Sequence, residues 1–225
     1  MLFGMKKAMT KRANHRTATE KAYEILIYND TKFPVDLYNV KILNHKIKII
    51  SMQEYSELTG IEMDDLTQSG AFNEGYTVIE EEKNRATIFY NDEIESKERK
   101  RFTIAHEIAH IVMKHQDHNE QNEQEADTFA SQLLLPHCIL ERLIHLGKNV
   151  TPKYLNEKFG LSLSASKISL LHVGRKMEKS AKTEYEDIIL QNSLQFINNE
   201  TQGQRYYYAD EDDEMENERK NWLYK

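Results

Sequence analysis

Apolar positions in this chain change period along its length, and the changes mark out its elements. Over about 18–29, Ala22, Ile25 and Leu26 keep helical spacing, which predicts a helix. Pro34 suits a first helical turn, so a second helix is expected through Leu43. Lys46 to Ser51 (K-I-K-I-I-S) is short and β-branched and reads as a strand, with a short helix after it near 54–59. Tyr76–Glu80 and Ala86–Tyr90 read as two further strands. The polar residues between them suit a hairpin, which implies an antiparallel pair. A long helix is predicted over about 96–115, with Phe102, Ala105, Ala109 and Val112 as its apolar stripe. A polar loop leads to another helix over about 122–135, stopped by Pro136. Helices are expected at about 137–146, 152–159, 164–179 and 184–197, with Gly160 punctuating the second and third of these.

Composition narrows the class. The chain has 225 residues, 39% apolar and 30% charged, enough for one sizeable core and an appendage. No run approaches the roughly 18 apolar residues of a spanning helix, and the basic start, residues 1–16, has no signal-type apolar stretch behind it. The expectation is a cytoplasmic protein with no membrane association. The single cysteine, Cys138, fits a reducing compartment and reads as a small buried apolar residue. The net charge of −7 argues against a whole-protein nucleic-acid footprint. It conceals an asymmetry, because residues 147–180 carry seven Lys/Arg against two Glu, whereas 210–218 are strongly acidic. Beyond Asn198 the chain has little to bury, so 199–225 is expected to be an acidic, mobile tail.

Chemistry enters at His106-Glu107-Ile108-Ala109-His110. Residues four apart on a helix lie one above the other, so both imidazoles can share one tetrahedral ion. Glu107 is offset by about 100°, misses the ion and is placed to act as general base on a water beside it. The downstream helix carries Glu123 and Asp127 one turn apart. Glu123 can supply a third ligand, and Asp127 can accept a hydrogen bond from the far nitrogen of a ligand histidine. Glu125, about 200° round from Glu123, is expected to face solvent. Two His, one Glu and an open fourth position match a catalytic zinc rather than a closed structural one.

R-F-T-I-A-H-E-I-A-H (101–110) followed by E-Q-E-A-D-T-F-A-S-Q-L-L-L-P (123–136) resembles the ImmA/IrrE family of metallopeptidases, over about residues 20–175. By position, His106 and His110 match that family's metal-binding histidines, Glu107 its catalytic glutamate and Glu123 its third ligand. Asp127 stands where the family usually has Asn. Family members often carry a His four residues after the second ligand; here that residue is Lys114, and His115 follows. The resemblance implies an α+β fold: a minimal zincin-like core over 17–146 with a small antiparallel sheet. A helical, helix-turn-helix-like region over 147–198 follows it.

The expected activity is zinc-dependent peptide hydrolysis, with manganese as the alternative ion. The tetrahedral oxyanion needs a further donor. Tyr90, His115, His118 and Arg101 are candidates, and the sequence does not choose between them. The resemblance implies as substrate a helix-turn-helix repressor of a prophage or mobile element, whose loss derepresses element or stress genes. Two rivals stay open: a non-catalytic scaffold that grips a repressor, and a DNA-binding regulator using 151–176 with a structural metal. Few side chains of 151–176 suit base readout, so DNA contact is the less favoured reading of that segment.

Overall fold

The computed structural model describes residues 12–67, 74–117, 119–176 and 184–201. Helix α1 (His15–Tyr28) opens on an Asn14 cap and buries Ala18, Ala22, Tyr23, Ile25 and Leu26. The helix expected from Pro34 to Leu43 does not form. Only a 3-10 turn stands there, Leu37–Asn39, where one local cap and one long-range bond engage the backbone instead. Asp36 caps the Tyr38 N–H, and Arg101 Nη2 donates to the Val35 carbonyl at 2.9 Å.

Strand β1 (Lys46–Ser51) runs into α2 (Met52–Thr59), capped by Ser51, and the short α3 (Met63–Leu66). Strands β2 (Gly75–Glu80) and β3 (Arg85–Tyr90) form the expected antiparallel hairpin. The sheet order is β1-β3-β2, and β1 pairs with β3 in parallel. The sheet is therefore mixed, where a wholly antiparallel one was expected. The segment through α2 and α3 carries the chain past the position of β3 to β2 at the far edge, running opposite to β1, and the hairpin then returns β3 between them, parallel to β1.

Register decides which strand residues face the site. Ala86 and Ile88 of β3, with Ile79 of β2, join the main core, whereas Phe89, Ile50 and Tyr76 form a smaller cluster under α2 and α3. Thr77 pairs with Ile88 and so lies on the main-core face. That face packs on α4 (Lys97–Met113), which Ser96 caps. Helix α5 (Glu120–Leu134), capped by Asn119, lies between α4 and α1 and buries Ala126, Phe129, Ala130, Leu133 and Leu134. Cys138 is buried, and burial pushes its thiol up to about 12, so it stays an unreactive thiol.

Helix α6 (His137–His145) follows Pro136. Helices α7 (Pro152–Phe159) and α8 (Leu163–Lys176) are joined through Gly160, at φ +68°. A Cβ on Gly160 would stand 2.7 Å from Arg101 Nε, so both the turn and the close approach require glycine. Residues 177–179 of the expected helix lie outside the described residues. Helix α9 (Glu184–Asn192) is followed after Ser193 by α10 (194–201), which runs past the expected start of the tail. Residues 1–11 of the basic start, and 202–225, lie outside the described residues.

Glu200 explains why the helix continues. Its carboxylate meets Lys158 Nζ at 2.7 Å and Lys148 Nζ at 3.3 Å, and its side chain is only 12% exposed. Burial alone would raise its pKa, but the bonds from Lys158 and Lys148 outweigh that and hold it below the usual range. A depressed carboxylate stabilises the fold above its unfolded pKa and loses that contribution as pH falls through the folded value. Glu200→Gln is therefore expected to cost about 1–2 kcal/mol at neutral pH. In denaturant titrations that gap from wild type should close as the pH drops below about 4.

Candidate metal centre

His106 and His110 sit on one face of α4, and Glu123 projects from the first turn of α5. Their donor atoms all lie within 4.8 Å of one another. His106 Nε2 is 3.1 Å from His110 Nε2 and 3.0 Å from Glu123 Oε2. Glu123 Oε1 is 3.6 Å from His110 Nε2. Bonds of about 2.05 Å to a tetrahedral zinc give ligand–ligand edges of about 3.3 Å. The two separations from His106 Nε2 lie within about 0.3 Å of that value, and His110 meets the other oxygen of the same carboxylate.

Proton placement tests the fit further. His106 Nδ1 lies 2.9 Å from Asp127 Oδ1. An ionised carboxylate only accepts, so a neutral His106 carries its proton on Nδ1 and turns the Nε2 lone pair into the group. That lone pair meets a carboxylate oxygen at 3.0 Å, an arrangement a cation relieves. Without an ion the same crowding favours a proton. Burial would lower the pKa of His106, but the Asp127 hydrogen bond and the charges of Glu107, Asp127 and Glu123 outweigh it and raise it. A metal entering here displaces that proton. The residues present thus fit a divalent N/O-preferring ion such as zinc.

The group is dry beneath and open above. The His106 and His110 side chains are 15% and 6% exposed, against 39% for Glu123 and 59% for Asp127. Glu107 is buried on the strand side of α4. Thr77 Oγ1 donates to its Oε2 at 2.8 Å, so β2 holds the carboxylate. Sequence reasoning passed over Thr77, because only the strand register shows that it faces α4.

The oxyanion candidates separate. Arg101 is committed to the Val35 carbonyl and to the face of Gly160. Tyr90 packs edge-on against Tyr38, with ring centroids 6.2 Å apart, and burial raises the pKa of its hydroxyl. His118 lies outside the described residues. His115 backs the metal group instead of lining it: its Nδ1 is 3.1 Å from His110 Nδ1. Lys114, in the left-handed region, turns the chain, and the His115 N–H returns to the His110 carbonyl at 3.0 Å. That bond pattern is a Schellman turn, which folds the residue five positions on back over the last helical turn.

Glu125 does not face solvent. The face of α5 opposite Glu123 is covered by α1 and by the turn after α4. Glu125 accepts from the Asn14 backbone N–H at 2.8 Å and the Gln121 amide at 2.9 Å, and lies 3.3 Å from His115 Nε2. Burial would raise its pKa, but these bonds outweigh it and keep it ionised.

A peptidase family model, the IrrE N-terminal-like domain of peptidase family M78, matches residues 46–170, from the first residue of β1 into α8. The chain belongs to that family. The match takes in the α4 histidines, Glu107 and Glu123, and it leaves out α1, α9 and α10. Membership makes the chain a peptidase-family protein of the IrrE type, built as an α+β fold. No curated protein matches the chain. No helix among the described residues is long and apolar enough to cross a membrane.

Proposed function

We propose that this chain is a zinc endopeptidase that cuts a helix-turn-helix transcriptional repressor and so derepresses mobile-element or stress genes. The observation that carries the reading is the convergence of His106 Nε2, His110 Nε2 and a Glu123 carboxylate beside a buried Glu107. His106, His110 and Glu123 hold the ion, and Asp127 fixes the tautomer of His106. A zinc ion there supplies a Lewis acid that polarises the scissile carbonyl and lowers the pKa of a water towards about 7.

Glu107 takes the proton from the attacking water and delivers it to the leaving nitrogen. Thr77 keeps the Glu107 carboxylate aimed while it cycles between its charged and neutral forms. Manganese would accept the same oxygen and nitrogen donors, so metal analysis of the protein as purified decides between the ions.

The exposed face of α8 supports a protein partner over duplex DNA. Leu163, Ile168 and Leu171 are 53%, 54% and 63% exposed there. Two of the basic residues of 147–180, Lys148 and Lys158, are spent on Glu200. The test is incubation of the zinc-loaded chain with helix-turn-helix repressors from the same genome. Two fragments of one of them should appear, and a chelator should prevent them. Repressors that all stay intact, together with a Glu107→Gln chain that relieves repression in cells as well as wild type, would sink the peptidase reading and leave the non-catalytic scaffold.

A further inference from the structure

We propose that Glu125, acting through His115, is the positioning residue that makes His110 a metal ligand, and that the start of α1 is built into this support. The inference rests on the metal-centre reading above and extends it to residues that no motif marks.

The Glu125 carboxylate can only accept. Its Oε1 already takes the Asn14 N–H and the Gln121 amide, and its Oε2 faces His115 Nε2 at 3.3 Å. A neutral His115 therefore carries its proton on Nε2 and leaves its Nδ1 lone pair facing His110 Nδ1 at 3.1 Å. Two lone pairs cannot face each other at that distance, so His110 donates from Nδ1. Its Nε2 is left as an acceptor, pointing at His106 and Glu123.

The arrangement does for His110 what Asp127 does for His106, with one imidazole more in the chain. It is the drier of the two supports. The side chains of His115 and Glu125 are 6% and 8% exposed, whereas Asp127 is 59% exposed. Hydrogen bonds shielded from water in this way hold a ring more firmly. Asn14 lies outside the family match, so part of the support comes from a segment beyond the matched residues.

Two variants and one spectrum test the proposal. Glu125→Gln places an amide that can donate to His115 Nε2, which permits the reverse tautomer along the whole chain. His115→Phe keeps the ring volume and removes both nitrogens. In competition with a chromogenic chelator, each is expected to bind zinc about 10–100-fold more weakly than wild type. The metal-free variants should melt below wild type, since each loses a buried hydrogen-bond partner, so zinc affinity is compared on samples shown to be folded by circular dichroism. In zinc-loaded wild type, nitrogen-15 imidazole spectra are expected to show His110 protonated at Nδ1.

Zinc affinities within about twofold of wild type for both variants would overturn the proposal, the supports of a ligand histidine being worth far more than that. So would a His110 whose proton sits on Nε2, a result that does not depend on either variant folding. His106→Ala is the control for the underlying site. If it keeps wild-type zinc affinity, the metal centre itself is wrong, which is a different failure from the one probed at Glu125.

Discussion

Glu107→Gln is expected to lower peptide-bond cleavage by about 10²–10⁴-fold, the range that a positioned general base supplies. The substitution is close to isosteric. The amide oxygen can still accept from Thr77 Oγ1, so the side chain should stay where the 2.8 Å bond holds it. What it loses is the capacity to take a proton from water. His106, His110 and Glu123 are untouched, so zinc content by mass spectrometry and the thermal melt should match wild type. That combination separates catalysis from folding and metal binding. A variant that cuts as fast as wild type would remove Glu107 from the chemistry. A variant that loses both activity and metal would mean that the residue supports the site.

Stripping the ion should be felt across the molecule. The metal group joins α4 to α5, the two helices at the centre of the core, so an ion there binds the folded state alone. At free zinc about 100 times the dissociation constant, that linkage contributes about 2.7 kcal/mol. In a protein of this size it corresponds to a melting temperature about 5–10 °C higher with zinc than after chelation. His110→Ala should melt no higher than the stripped wild type, because it also loses a buried ring, and should show no response to added zinc. A melt indifferent to chelator and to zinc in the wild-type chain would mean that the convergence of donors holds no ion.

The helices mattering most to the site announce themselves in the sequence. α4 and α5 have apolar stripes of unbroken 3.6 period and side-chain caps, Ser96 and Asn119, at their starts. The spacing of His106 and His110 along one helix is a local property, as is that of Glu123 and Asp127. Local periodicity places such pairs without knowledge of the rest of the chain. The β2–β3 hairpin is local in the same sense, because two strands and the turn between them lie within sixteen residues.

What failed was long-range. Where a helix was expected after Pro34, the Val35 carbonyl goes instead to Arg101, 66 residues on. The parallel pairing of β1 with β3 depends on a crossover that no period reports. α10 continues through Glu200 because lysines of the turn before α7 and of α7 itself reach it.

By itself, then, the sequence determined the helices α4 and α5, which side chains share a face on each, and the spacing that lets two histidines and a glutamate meet. Tertiary structure alone decided that Thr77 holds Glu107, that Glu125 is buried under α1, and that His115 turns back onto His110. The reason is physical. Faces are set by the backbone period within one element, whereas the partner each face meets is set by turns and crossovers joining residues far apart in the chain.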